Sequence, residues 1–527
     1  MMHRWIVGAL LAACAPLQGV AAGESVAPFE SGAGVLPRGP IDEAVFARLK
    51  ELDIPPARNC SDAVFVRRVY LDVIGTLPTG REAWDFIRDT APDKRQALID
   101  ALLERPEFAD YWAMKWCDLL RVKSEFPINL WPNAVQAYHR WIRECIKNNL
   151  PYDRFVRELL TANGSNFRVP PVNFYRAVQN REAPEIAHAV ALGFMGERAD
   201  TWSPDRLAGM AAFFAKIGSK PTGEWKEEIL YFDPEKVCTN PAVAARPVFP
   251  DGTPARIAPG QDPRIVFADW LTAKSNPWFS RAIANRAWSW FMGRGIVHEP
   301  DDIRDDNPPV NPALLACLQR ELVSSSYDLR RLFRLILNSQ TYQLSSIPAT
   351  SKPGAEANFA FYPLRRLEAE VFIDALCAVT GTTEEYESPI PEPFTFVPKG
   401  ARAIELPDGS ITSTFLEMFG RPPRDTGIST ERNNQPSASQ RLHMLNSSHI
   451  RKKIDQSPKL RSVFAGARDN PRETIDRLYL SILSRPPTDA ERLSIRGYLQ
   501  SNSIKGREAM VDLAWALINS SEFLHRH

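Results

Sequence analysis

Nine consecutive positions, from His298 to Asp306, hold one histidine, one glutamate and four aspartates. Such a loop could bind calcium, because its aspartates offer several oxygen ligands, but no EF-hand spacing is present and His298 is a poor ligand for a hard cation. Alternatively, Asp301 and Asp302 could form a catalytic acid pair. The stretch could also be a solvated turn that ends at residues 307–309, Asn-Pro-Pro. From the sequence, all three interpretations remain open.

A second set of charged residues recurs at four-residue spacing, namely Arg366, Glu370 and Asp374. This spacing predicts one face of a helix, where Arg366 could pair with Glu370 or bind a ligand. If that face is buried, its carboxylates must be tied to other charged groups, because an unpaired buried acid is costly. We therefore treat Glu370 and Asp374 as candidate catalytic acids, with a structural salt bridge as the alternative.

Two further groups could bind or transform a ligand. Asn285, Arg286 and Trp288 combine an amide, a guanidinium and an indole near a predicted helix end, which could hold a sugar or an anion; helix packing is the alternative. Glu431 and His443 could act as a general acid–base pair if the fold brings them together. Arg432, next to Glu431, is a candidate ligand-binding residue.

The elements that must position these residues are mainly α-helical. Apolar residues recur at three- and four-residue spacing through most of the chain, which is typical of amphipathic helices. The predicted helices include residues 62–74, 94–108, 111–122, 134–149, 152–162, 185–195, 204–218 and 365–381.

The helical pattern is interrupted twice. Residues 221–262 alternate short apolar runs with Pro, Asp and Gly, which predicts a small β hairpin or an extended linker. We therefore predict an N-terminal helical domain at 42–220 and a C-terminal helical domain at 263–527. Within the latter, residues 382–440 are rich in Pro, Thr and Asn and should form long loops.

An internal repeat joins the two ends of the chain. "RVYLDVIGTLPTGRE" (68–82) matches "RLYLSILSRPPTDAE" (477–491), and "ALLERPEF" (101–108) echoes "ALINSSEF" (516–523). In each copy a helix should end near the prolines. Thr79 or Thr488 should then cap the next helix, with Glu82 or Glu491 completing a capping box. The repeat is therefore a scaffold unit, and its copies could pack against each other.

The N-terminus predicts export. A positive start, an apolar run that is too short to span a bilayer and a small-residue site before Gly23 predict a signal peptide at residues 1–22. "LAAC" (11–14) also fits a lipobox, which would make Cys14 the lipidated residue. We expect a periplasmic, secreted or lipid-anchored protein with no further membrane span. Its other six cysteines could be buried thiols or disulfides.

Composition and missing motifs exclude several classes of protein. The formal net charge is +1 and no basic stripe stands out, so nucleic acid is not expected as a partner. Serine-hydrolase elbows, H-E-x-x-H, P-loop and G-x-G-x-x-G motifs are all absent from the sequence. No residue set has the spacing of a zinc site, so apart from the calcium alternative at 298–306 we predict no metal ligands and no cofactor.

The chain resembles planctomycete-type exported proteins that combine two adjacent domains of unknown function, a pair often associated with planctomycete cytochrome c domains. The first domain's signature is visible in "FVRRVYLDVIGTLPT" (65–79), "WAMKWCDLLR" (112–121) and "LPYDRFVRELL" (150–160). The second's appears in "NPWFSRAIANRAWSWFMGRGIV" (276–297) and "ERNNQPSASQRLHMLNSSHI" (431–450). The resemblance implies exported sulfatase-like proteins or polysaccharide as partners.

Two departures from that family bear on chemistry. Many relatives carry C-x-x-C-H where this chain has "FMGERADTW" (194–202), and C-x-C where Ile428 and Thr430 stand here. Covalent haem attachment needs C-x-x-C-H, so we expect no c-type haem. The relatives' thiols could share one redox or metal site that this chain has lost.

Three functions remain open from the sequence. The first is an exported binding or assembly component of cell-surface or polysaccharide-processing machinery. The second is a glycan hydrolase that uses a carboxylate cluster. The third is a haem-less relative of an electron-transfer protein. Candidate acids gathered in an aromatic-lined pocket would favour the hydrolase, whereas dispersed acids would favour the binding protein.

Overall fold

A computed structural model describes residues 27–32, 34–465, 470–501 and 506–527. The predicted signal peptide and the lipidation candidate Cys14 lie outside these ranges. Within them, no helix is long and apolar enough to cross a membrane. The six cysteines after Cys14 are all free thiols. The protein is mainly α-helical, as predicted, and its described sheets are small and antiparallel.

Helices make up most of the part before residue 220. They span Pro40–Glu51 (α1), Asp62–Ile74 (α2), Gly80–Arg88 (α3), Lys94–Leu103 (α4), Pro106–Leu119 (α5), Pro132–Lys147 (α6), Tyr152–Thr161 (α7), Asn173–Arg176 (α8), Ala183–Val190 (α9) and Pro204–Ala211 (α10). A π-helical turn, Ala191–Met195, follows α9.

The part after residue 262 is also helical. Its helices are Pro263–Leu271 (α11), Pro277–Met292 (α12), Pro312–Ser324 (α13), Leu329–Asn338 (α14), Ala369–Thr380 (α15), Thr414–Met418 (α16), Ala438–Asn446 (α17), Ser448–Asp455 (α18), Pro458–Ala465 (α19), Pro471–Leu483 (α20), Asp489–Ser501 (α21), Arg507–Ile518 (α22) and Ser521–Leu524 (α23).

Proline and short polar caps set many helix starts. Pro40, Pro106, Pro132, Pro277 and Pro312 each occupy the first turn of a helix, where the missing N–H costs nothing and the fixed φ favours the helical conformation. Pro106 explains why the predicted helix 94–108 is two helices. The predicted helix 204–218 also ends early, at Ala211.

The predicted hairpin is present. Strands Ile217–Pro221 (β2) and Glu228–Phe232 (β3) pair antiparallel, and Gly164–Ser165 (β1) adds to the other edge of β3. A second pair joins Arg365–Arg366 (β4) to His525–Arg526 (β5). Arg366 is therefore in a strand before α15, and the prediction that it shares a helix face with Glu370 and Asp374 was wrong.

Both copies of the repeat adopt the predicted capped hairpin. The Glu82 and Glu491 amides donate to the hydroxyls of Thr79 and Thr488 at 3.1 and 3.2 Å. The Thr79 and Thr488 amides donate back to the Glu82 and Glu491 carboxylates at 2.8 and 2.7 Å. The two copies also pack on each other, through α3 and α20.

One apolar core runs through the described chain, from Ile41 to Phe523. Helices from the two predicted domains interlock, since α13 packs on α1, α14 on α4 and α11 on α7. The two regions therefore share a core.

Candidate ligand-binding cleft

Most of the candidate residues lie in buried charge networks. Arg432 donates to both carboxylate oxygens of Glu370, at 2.6 and 3.0 Å, and to Asp118 at 2.7 Å. Burial raises the pKa of Glu370, but the guanidinium groups of Arg432 and Arg421 outweigh it and hold that pKa below its usual range. These residues fasten the loop before α17 to α5 and α15, and Glu370 is inaccessible to solvent.

Asp301 is also buried and paired. Its carboxylate accepts hydrogen bonds from Arg286 Nη2 at 2.7 Å and from the Ser429 amide at 2.6 Å. Arg286 also donates to the carbonyl of Gly193 at 2.7 Å. Gly193 precedes the 194–202 run and Ser429 lies between Ile428 and Thr430, so this arrangement links two segments that are distant in the sequence.

The rest of the acidic stretch 298–306 forms a turn. Asp302 lies 3.1 Å from Arg304 Nε, and the Asn307 side chain donates to the carbonyls of His298 and Asp302 at 3.0 and 2.8 Å. Within the described ranges, no group of three or more His, Cys, Asp or Glu side chains could hold a metal ion.

Asp374 and Arg366 form hydrogen bonds with different partners and do not contact each other. The Asp374 carboxylate accepts the amides of Ala403 and Ile404 at 2.7 and 3.1 Å. Burial raises its pKa to about 7, against the opposing effects of Arg402 and these amides. Arg366 donates to Gln440 and lies 4.7 Å over the ring of Phe419.

The candidates on α12 face the protein interior. The side chain of Asn285 donates to the carbonyl of Val297 at 3.0 Å and accepts its amide at 2.9 Å. Trp288 is fully buried, with its ring edge-on to Phe359 at 5.1 Å. Asn285 therefore holds the chain that leaves α12, and Trp288 packs in the core.

His443 pairs with a second histidine. Its Nε2 lies 3.3 Å from Nδ1 of His449, whose Nε2 lies 3.0 Å from Glu384. Burial lowers the pKa of His443, and His449 lowers it further. Glu431, the predicted acid–base partner of His443, instead accepts hydrogen bonds from the amides of Asp425 and Thr426 at 2.9 and 3.3 Å.

An open cleft lies elsewhere, at the turn between β2 and β3. It encloses about 600 Å³ and is lined by Asn129, Arg176, Arg181 and residues 221–228. We call it the Trp225 cleft, because the Trp225 side chain is 69% exposed at its edge. The sequence contains a signal for it, a tryptophan among polar residues in "GEWKEE" (223–228), but exposure cannot be read from sequence alone.

Further aromatic rings lie on the loops beside the cleft. The ring of Trp131 contacts that of Phe394 at 5.4 Å between centroids. The same two loops carry Phe126 and Phe396, which are 71% and 67% exposed. The ammonium of Lys226 lies 5.6 Å from the Trp131 ring and 5.3 Å from the Trp225 ring. Exposed rings grouped in this way are typical of a binding surface.

Four of the twelve described non-glycine residues with positive φ lie at or beside the cleft. Asn129, Arg181 and Lys226 have φ of 60°, 53° and 61°, and Trp131 has φ 74° with ψ 145°. A non-glycine residue in such a conformation costs on the order of 1–3 kcal/mol and persists only where the surrounding structure enforces it. Such residues cluster at ligand sites.

The loop that carries Trp225 is held in place by hydrogen bonds of buried polar groups. Glu227 accepts hydrogen bonds from Ser165 and, at 2.7 Å, from Thr222. The Asn166 side chain donates to the carbonyl of Lys226 at 3.2 Å and accepts the amide of Glu228 at 2.9 Å. The residues that follow Trp225 are therefore held by these hydrogen bonds, while its ring lies in solvent.

The described protein is thus a mainly α-helical body with an aromatic-edged cleft on one hairpin. Residues 40–211 match the PSCyt2 family model, a protein of unknown function (DUF1549), and residues 263–499 match PSD1, a protein of unknown function (DUF1553). The chain belongs to the proteins that pair these two domains, as the sequence predicted. No curated protein and no solved structure matches it.

Proposed function

We propose that this protein is an exported binding component of polysaccharide-processing machinery, and that it holds carbohydrate in the Trp225 cleft. The observation that carries the proposal is Trp225 itself, an exposed indole on a loop fixed by Glu227 and Asn166. Burial of an apolar ring lowers the free energy, because it removes apolar surface from water. A large ring that the fold leaves in water therefore favours a role in binding.

The chemistry of the cleft suits a sugar. An indole offers a broad apolar face with little conformational entropy to lose, and the C–H face of a pyranose can pack against it. Arg181 and Glu224 beside it can hydrogen-bond to hydroxyl groups. The lining is mostly polar and charged, with Trp225 as its one aromatic residue.

Hydrolysis is less well supported than binding. A glycosidase needs one carboxylic acid whose pKa is raised so that it can donate a proton. In the cleft, burial raises the pKa of Glu228, but Arg176 and Arg181 outweigh it and hold the pKa below its usual range. The predicted acids Asp301 and Glu370 are buried and bonded to arginines. Burial does raise the pKa of Asp374, but its carboxylate is buried away from solvent and accepts hydrogen bonds from two backbone amides.

The test is polysaccharide binding by the mature protein, measured by affinity gel electrophoresis against a panel of neutral and acidic polysaccharides. Trp225→Ala should weaken binding at least about tenfold, since an aromatic anchor that a ligand covers carries a large share of binding energy. Trp84→Ala, which removes another exposed indole on α3, is the matched control and should change nothing. Binding to no polysaccharide, or equal binding by wild type and Trp225→Ala, would overturn the proposal.

A further inference from the structure

We infer that the sugar held against Trp225 carries an anionic group, a carboxylate or a sulfate, and that Lys226 binds it. This inference rests on the proposed function, because it names the class of saccharide that the Trp225 cleft selects.

The charge balance of the cleft singles out Lys226. Glu228 is paired with Arg176 and Arg181. Glu224 and Glu227 lie 3.7 and 3.5 Å from Arg168, an exposed arginine outside the cleft lining. With Arg168 included, three arginines balance the three glutamates. Among the described residues, no carboxylate lies within 4.0 Å of the Lys226 ammonium, so its charge is left unbalanced.

The backbone that carries this charge is fixed. Lys226 has a left-handed backbone, and its carbonyl is held by the buried side chain of Asn166. Its ammonium lies near the faces of two indoles, Trp131 and Trp225. An acidic substituent on a sugar packed against Trp225 would therefore meet a cation at the same place.

The ring contacts leave the ammonium able to bind. A cation–π interaction attracts the charge through the ring quadrupole without using its N–H donors. Lysine has three such donors and no acceptor, so it favours an anion over a hydroxyl group.

The experiment compares binding of the mature protein to agarose oligosaccharides, a neutral galactan, with binding to carrageenan oligosaccharides, a sulfated galactan, and to polygalacturonate oligosaccharides, which carry carboxylates. Isothermal titration calorimetry at low salt should show at least about tenfold tighter binding to one or both acidic ligands than to the neutral one. The acidic ligand that binds identifies which anion is recognised. Added salt should erode that preference.

Three variants separate the role of Lys226 from general effects. Lys226→Gln should lose about tenfold in affinity for the acidic ligand with no change for the neutral galactan, and Lys226→Arg should restore most of it. Lys220→Gln is the matched control, because Lys220 lies 5.7 Å over Tyr231 on the same hairpin outside the cleft lining. It should bind like wild type.

The outcomes distinguish this inference from the proposed function. Equal wild-type affinity for neutral and acidic ligands, or an equal loss for both in Lys226→Gln, would overturn the anionic preference while Trp225-dependent binding stands. Loss of binding in Lys220→Gln as large as in Lys226→Gln would overturn it as well. Absence of binding to all three ligands would overturn it too, and absence of binding to the whole polysaccharide panel would overturn the proposed function with it.

Discussion

Single charged side chains hold distant parts of this chain together. Arg432 lies between Glu370 and Asp118, from which it is separated by 62 and 314 residues. Arg421 and Arg424 approach the same two carboxylates at 3.4 and 2.9 Å. Since all of these groups have lost most of their hydration, each depends on its partners.

Replacement of Arg432 should therefore be severe. Arg432→Met keeps the aliphatic stem but leaves Glu370 and Asp118 short of a counter-charge, and we expect a loss of about 3–5 kcal/mol in the free energy of unfolding, measured by urea denaturation. Arg477→Met removes an exposed arginine that pairs with Glu473 and should cost less than about 1 kcal/mol. Similar losses in both variants would contradict this account.

Residue chemistry could be predicted from the sequence, but the surroundings of each residue could not. Glu370, Arg432 and Asp301 were recognised as reactive types, yet spacing along one helix cannot show that Arg432 would neutralise Glu370. Conversely, Trp225 and Trp131 are far apart in sequence and acquire meaning only when both approach Lys226.

At the scale of elements, each copy of the repeated hairpin has an arginine that bridges two glutamates, but the arginine is in a different position in the two copies. In the first copy Arg105 bridges Glu82 and Glu107, at 3.1 and 2.5 Å. In the second Arg485 bridges the corresponding Glu491 and Glu522, at 2.7 Å each. The glutamates match between copies, but the arginine comes from a different loop. Its side chain is 33% exposed in the first copy and 4% in the second.

This difference predicts unequal effects in the two copies. Arg485→Met should lower the free energy of unfolding by about 3 kcal/mol or more, because it leaves the two partly buried carboxylates without their counter-charge. Arg105→Met should cost about 1 kcal/mol, since water can replace the lost contacts. Thermal unfolding followed by circular dichroism gives the comparison. A larger loss for Arg105→Met would show that burial does not set the strength of these bridges.

Helices were predicted well where an apolar face and a local cap agree, as in α2, whose bounds match the expectation. They were predicted less well where a residue distant in sequence determines the backbone conformation. Arg366 continues a helical pattern, but its backbone pairs with His525 in a strand. A two-residue pairing across more than 150 positions leaves no periodic signal.

The whole molecule should unfold as one unit. The two predicted domains share the apolar core, through α1 with α13 and α4 with α14. Calorimetry of the mature protein should therefore show a single transition whose calorimetric and van't Hoff enthalpies agree. Two separable transitions would mean that the shared core does not couple the regions.

The exposed indole also gives the protein an optical handle. Trp225 is the most exposed of the described tryptophans, while Trp112 and Trp288 lie deep in the core. A small quencher such as acrylamide should reach Trp225 before the buried rings. A molecule seated on it would shield its emission and shift it to shorter wavelength, so occupancy could be followed without a label.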